Sequence, residues 1–235
     1  MLRSGLFALS LVLVSFTSAH ADEAGTRLMA QMKEAMGGAA LDAPKGFHET
    51  GALGQGDHAA TYETWGDLHA LRSVSQMTRG GATFTHGFDG KQAWMMGPDG
   101  KVRTDTSPAG IASAKLTAYL TVGGYFYPGR FPADFAYQGK KDANGETYDV
   151  VTITPEGCDP VDFWLDAKDH KLQRMTGTDQ GQAFVGEVKR YKLMDKVWVG
   201  VDITQSVGGH ETRLHLASYK FADVPADKFA PPASK

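Results

Sequence analysis

From Phe47 onward the chain never runs far without a glycine-bearing turn. Gly54-Gln55-Gly56, Gly66-Asp67, Gly80-Gly81 and Asp89-Gly90 divide the stretch up to Gly97. Asn144-Gly145, Gly157, Gly181, Asp195-Lys196 and Gly208-Gly209 divide the stretch up to Phe221. The pieces between them are rich in Thr, Tyr, Val and Phe, which fit a pleated surface. Turns this short join antiparallel neighbours, because a parallel crossover takes a dozen residues or more. The punctuation therefore predicts about five strands before Gly97 and six more at 147–154, 160–166, 170–178, 183–194, 197–207 and 211–221. A sheet of about eleven twisted strands cannot lie flat, so it must curl over something.

Two segments offer what it could curl over. Ala24, Leu28, Met32 and Met36 recur at intervals of four, with Arg27, Lys33 and Glu34 on other faces and Gly37-Gly38 as a stop. This is an amphipathic helix over 24–36. In the second, Ser107 suits an N-cap and Pro108 the first helical position. Ile111, Ala112, Lys115, Leu116, Tyr119 and Leu120 then follow helical spacing, which predicts a helix over 108–120. GGYFYPGRFPADF, residues 123–135, is too dense in Gly and Pro for a helix or a central strand and reads as an ordered loop at a rim.

One strand stands apart. Between Asp89-Gly90 and Asp99-Gly100, both expected to be type I′ turns, the chain reads KQAWMMG. Trp94 and Met96 fall on one face of such a strand, Ala93 and Met95 on the other. A strand apolar on both faces has to be covered on both, or line an apolar space. By contrast Val197, Val199, Val201, Ile203 and Val207 alternate with polar neighbours, as a strand with one wet face does.

The N-terminus points to a compartment. Arg3 is followed by an apolar run over 6–16 and by Ala19-His20-Ala21, the features of a cleavable signal peptide over 1–21. No lipobox Cys follows, so a soluble periplasmic protein is expected, with 22–235 as one domain. Roughly 210 residues suffice for a single all-β domain with a sizeable core. The formal net charge of -3 argues against a nucleic-acid surface. Cys158 is the only cysteine, so no disulfide can form within a monomer.

HGFDGKQAWMMGPDGKV, PVDFWLDAKDHKLQRMTGTD and FADVPADKFAPP together resemble the LolA/LolB-like superfamily of periplasmic lipoprotein carriers, over most of the chain after the signal. The resemblance implies a mainly β protein with two or three helices: an incomplete β-barrel of about eleven antiparallel strands, with helices plugging a concave apolar face that accepts acyl chains. It implies a lipid or acylated cargo, and a membrane or lipoprotein as donor or acceptor. The lipoprotein-sorting members carry an Arg-Pro pair after their first hairpins. Residues 64–78 here hold Arg72 but no such pair. On this reading Phe88, Trp94, Met96, Leu116, Tyr119, Phe126 and Trp164 line the cavity.

Signals of catalysis are weak. No two histidines sit at a metal-ligand spacing; His210 and His215, an odd number apart, would point to opposite faces of one strand. Asp105-Thr106-Ser107 is similar to the Asp-Thr-Gly triplet of aspartic proteases, but the Ser107 cap explains it better. Neither a Gly-x-Ser-x-Gly elbow nor a phosphate-binding loop is present. The expected protein is a monomeric non-enzyme, without metal or cofactor, that carries or senses lipid-like molecules in envelope lipid or lipoprotein trafficking. The alternative is a protein-interaction module that regulates an envelope process without a small-molecule ligand.

Overall fold

The computed structural model describes residues 22–54 and 59–233. The signal-peptide reading, His20 and His58, and most of the Gly54-Gln55-Gly56 turn lie outside them. Among the described residues thirteen strands form one antiparallel sheet. Six come first: β1 (Gly46–Leu53), β2 (Ala60–Asp67), β3 (Arg72–Arg79), β4 (Ala82–Phe88), β5 (Ala93–Met96) and β6 (Val102–Asp105). Seven follow: β7 (Ala133–Ala143), β8 (Glu146–Pro155), β9 (Val161–Asp166), β10 (Leu172–Asp179), β11 (Gln182–Met194), β12 (Val197–Val207) and β13 (His210–Phe221). The spatial order is β6-β5-β4-β3-β2-β1-β13-β12-β11-β10-β9-β8-β7. Each half is thus a plain meander, and the halves are joined where β1 pairs β13. The sheet is mainly β, curled and open, as an incomplete barrel would be.

Two strands exceed the eleven expected from sequence, and they are the two edges of the sheet. β6 has only Val102 even half-buried. β7 buries Phe135 alone, and Gly139 at φ +86° lies where its register to β8 shifts. Edge strands are paired on one side only and carry little apolar pattern, here no more than Ala133, Phe135 and Tyr137 at the start of β7.

The turns are real, but not all of the expected type. Asp89 and Asp99 have ordinary φ. Each works instead through its side chain: Asp89 accepts from the N–H of Lys91 and Gln92, at 2.8 and 2.9 Å, and Asp99 from that of Lys101 at 3.1 Å. The type I′ signature, positive φ at both central residues, belongs to Gly80-Gly81, Asn144-Gly145, Gln180-Gly181, Asp195-Lys196 and Gly208-Gly209. Each of these closes a hairpin with a two-residue loop.

Both helices fall where their spacing places them, within a residue of each end. Helix α1 (Glu23–Met36) buries Leu28, Met29, Met32 and Met36 against the concave side, touching β7, β8 and β12. Its N-cap Asp22 also accepts from the N–H of Tyr137 at 2.7 Å, so the helix start is tied to β7. Helix α2 (Pro108–Thr121) is capped by Ser107, which accepts from the N–H of Gly110 at 3.1 Å. It links the two edge strands along the chain and packs against β3, β4 and β5, burying Leu116, Ala118 and Tyr119, while Ile111 is only half-buried.

Residues 123–131 continue α2 as an ordered aromatic plug instead of a rim. Gly123 turns the chain in the left-handed region, and a Cβ on Gly124 would lie 2.5 Å from the Tyr119 ring. Tyr125 packs edge-on against Phe163 with 4.8 Å between ring centres. The Tyr127 hydroxyl donates to the carbonyl of Leu41 at 2.6 Å. The main core lies between this plug, α1 and the sheet, where Val151, Phe163 and Leu165 are fully buried.

Candidate functional site

Strand parity sorts the side chains into an inner and an outer face. On β1, Phe47, Glu49 and Leu53 point inward; their partners on β2 are Gly66, Thr64 and Ala60. Tyr62, opposite Gly51, shares that face. On β13, Tyr219 stands directly opposite Glu49, and its ring stacks on Phe47 at 5.2 Å. This inner face, α1 and the aromatic plug line a half-open cavity of about 260 Å³. Met32 and Met36 of α1, Phe126 of the plug, and Met175 and Ile203 of the sheet supply most of its apolar character. Unbranched methionines adapt to irregular contents better than branched side chains do.

Within that apolar wall sit a few polar groups, and their state is unusual. The Tyr127 hydroxyl is satisfied by Leu41 and the Tyr191 hydroxyl donates to the Leu172 carbonyl. The hydroxyl of Tyr62 is buried with no hydrogen-bond partner among the described residues, and so is that of Tyr119 on α2. Glu49 lines the cavity as its one acidic residue. Burial, offset by neither a positive charge nor a donor, raises its pKa to about 7. Its charge in turn raises the phenol pKa values of Tyr62 and Tyr219 further above their ordinary range.

A second cavity, a cleft of about 350 Å³, lies between α2 and strands β4 to β6. Phe88 and Met95 form its apolar part; His86, Arg103 and Asp105 are also on its walls. Met95 is 54% exposed there. Although this cleft is larger, its Arg103 and Asp105 are exposed to solvent, and no unpartnered buried group points to a ligand. The interior cavity is the stronger candidate.

The seven residues expected to line one cavity are dispersed. Phe126 lines the interior cavity. Leu116 and Tyr119 are buried beside it in the main core. Phe88 faces the α2 cleft, which Trp94 also borders. Trp94 and Met96 lie on the outer face, where Trp94 packs with Val74 and Phe229 and Met96 borders that cluster. Trp164 is also on the outer face, between Lys141 and Arg174, which lie 5.3 and 5.6 Å from its ring centre. The doubly apolar β5 is thereby explained: a C-terminal 3-10 turn (Ala226–Phe229) covers one side, and the other borders the cleft.

Glu49, Tyr62 and Tyr219, which sequence reasoning passed over, are the polar centre of the cavity. A signal was available: FHETGAL places one acid on the same parity as Phe47 and Leu53. Elsewhere the polar residues are structural. Asp105 accepts from the N–H of Ser107 at 2.8 Å, beside the α2 cap. Burial pushes the Cys158 thiol up, away from the reactive thiolate. Arg72, in the segment without an Arg-Pro pair, forms two hydrogen bonds to Asp67 across the β2–β3 connection. No group of three or more His, Cys, Asp or Glu among the described residues could hold a metal ion.

An open antiparallel sheet curled around two helices over an apolar interior defines a LolA-like fold. Solved structures with this fold include a DUF1329 family protein from Desulfovibrio piger (TM-score 0.60, 13% identity, covering 90% of this chain and 98% of that one). A LolA superfamily protein from Nitrosomonas europaea aligns with TM-score 0.58 and 13% identity over 88% of this chain and 97% of its own. An outer membrane lipoprotein-sorting protein domain from Vibrio parahaemolyticus aligns with TM-score 0.59 and 13% identity over 88% and 96%. No protein-family model matches the chain, and no curated protein matches it significantly. At this identity the likeness establishes the fold and leaves function to be argued from the site.

Proposed function

We propose that this protein is a soluble periplasmic carrier or sensor of lipid-like, acyl-chain ligands. The observation that carries this reading is the half-open interior cavity of about 260 Å³, walled by methionines and aromatics of helix α1, the aromatic plug and the sheet. By proportion to a 150 Å³ apolar cavity that holds benzene, it takes roughly ten carbon atoms. At about 0.8 kcal/mol per buried methylene, such a chain gains a gross ~8 kcal/mol before association entropy is subtracted. Micromolar affinity is then within reach. The resemblance of the first 21 residues to a signal peptide supports export, with 22–235 acting as one domain. No helix among the described residues is long and apolar enough to cross a membrane.

The test is native mass spectrometry of protein purified without detergent, combined with titration of a fluorescent fatty-acid analogue. Saturable binding that weakens in Met32→Asp or Phe126→Asp, each checked for folding by circular dichroism, is expected. Absence of both saturable binding and extractable lipid sinks the carrier reading, and the interaction-module reading takes its place.

A further inference from the structure

A carboxyl is an odd wall for an apolar cavity. Glu49 is half-buried and accepts no hydrogen bond among the described residues, and a polar group left unpartnered against apolar walls calls for an explanation. Glu49 stands on the inner face of β1 between Tyr219 on β13 and Thr64 on β2. The Thr64 hydroxyl is already engaged, 2.9 Å from that of Ser75. Arg72 is bound to Asp67 and Lys33 to Asp42, so neither of these cations is available to Glu49. Beside it the hydroxyl of Tyr62, a residue only 6% exposed, is also unpartnered. The two polar groups share the inner face one register step apart, since Glu49 stands opposite Thr64 and Tyr62 opposite Gly51. Both line the cavity. His48 and Glu63, paired with each other at 3.2 Å, lie on the outer face and do not reach it.

We propose that Glu49 and Tyr62 form the head-group end of the cavity and that its ligand is a single-chain amphiphile with a hydrogen-bond-donating, cationic head, of the alkylammonium class. The inference rests on the carrier reading above and adds to it the polarity of the ligand. An ammonium brings three donors and a positive charge to a carboxylate that is paired with no cation and accepts no hydrogen bond among the described residues. The Tyr62 hydroxyl accepts one of those donors. An alkyl carboxylate would instead set a second negative charge against Glu49 in an apolar space, which raises the cost of both. The alkyl chain then runs toward Met36 and Phe126, with about ten carbons filling the space.

The test is isothermal titration calorimetry of the whole protein with decylamine and with decanoate at pH 8, where Glu49 is mostly ionised. Wild type is expected to bind decylamine at least tenfold more tightly than decanoate. Glu49→Gln should bring the two within about threefold, while Glu63→Gln, on the outer face, leaves the preference intact and so controls for general attraction to an acidic protein. Tyr62→Phe should weaken decylamine severalfold. Decanoate binding as tightly as decylamine, or a preference that survives in Glu49→Gln, overturns the proposal while leaving the carrier reading in place. Binding of neither probe overturns both.

Discussion

The indole N–H of Trp94 donates to the backbone carbonyl of Phe229 at 2.9 Å, joining residues 135 positions apart. Through it the C-terminal turn straps the outer face of β5. Phe229 is fully buried, and the Arg72 guanidinium lies 5.3 Å from its ring centre. Trp94→Phe keeps most of the packing but strands a buried carbonyl, at a cost of about 1–2 kcal/mol. Phe229→Ala leaves a cavity and should cost about 3–5 kcal/mol. Met95→Ala, on the exposed side of the same strand, should stay within about 0.5 kcal/mol. Urea unfolding of the three variants checks the order. A Met95→Ala loss as large as that of Phe229→Ala would show that the covered face of β5 had been misjudged.

What the sequence made legible follows from how much each element buries. β12 buries Val197 and Val201 while Trp198, between them on the other face, is exposed, and its alternation is readable as far as Ile203; Gln205, on the apolar parity, is already exposed. The strand's last apolar residue, Val207, is 39% exposed. β6 and β7 could not be read, since an edge strand needs few apolar residues. Trp94 and Met96 were rightly set on one face, but sequence parity cannot say whether that face is inner or outer. The decision lay with Phe229, more than a hundred residues on. Glu49 was overlooked for the opposite reason: an acid in a strand reads as a wet position unless the positions two residues either side are seen to be interior.

One hairpin departs from glycine chemistry. Asp195 and Lys196 both adopt positive φ, 45° and 72°, with no glycine between them. A side chain in the left-handed region costs roughly 1–2 kcal/mol, and Asp tolerates it better than Lys. Asp195 is also needed, because its carboxylate accepts from the N–H of Phe221 at 2.8 Å. Lys196→Gly should therefore stabilise the protein by about 1 kcal/mol, and Asp195→Gly should not. Thermal melts of the two single variants decide the matter: an equal gain from both would mean that the Asp195 bond contributes nothing.

Asp22 fastens α1 to β7 through two backbone donors, the N–H of Gly25 and that of Tyr137. These bonds to the ionised form, that from Gly25 first, hold its carboxyl below the ordinary range. Its folded pKa is thus lower than its unfolded one, so the contribution is present above about pH 4 and lost as pH falls through the folded pKa. Asp22→Ala should cost about 1–2 kcal/mol at pH 7. The cost should shrink steadily below pH 4. A difference from wild type that is the same at pH 7 and pH 2.5 would refute the role of charge in this cap.

Glu49 runs the other way. Burial raises its pKa from the ordinary 4.5 to about 7, so between those values the folded protein holds a proton that the unfolded chain has released. Stability then falls as pH rises through that window, because the unfolded state binds fewer protons. At about 1.4 kcal/mol per pH unit, the loss in wild type amounts to at most about 3 kcal/mol by pH 8. Glu49→Gln has the same shape and cannot ionise. The variant should match wild type near pH 4.5, pull ahead above pH 5, and hold a constant lead above pH 7. Because other groups titrate in both proteins, the quantity to follow is the difference between their melting curves at each pH. A lead already complete at pH 4.5 would mean that packing, and not the buried charge, separates them. A saturating alkylammonium ligand should narrow the lead at pH 8, since it supplies in wild type the counter-charge that Glu49 lacks and has no carboxylate to bind in the variant.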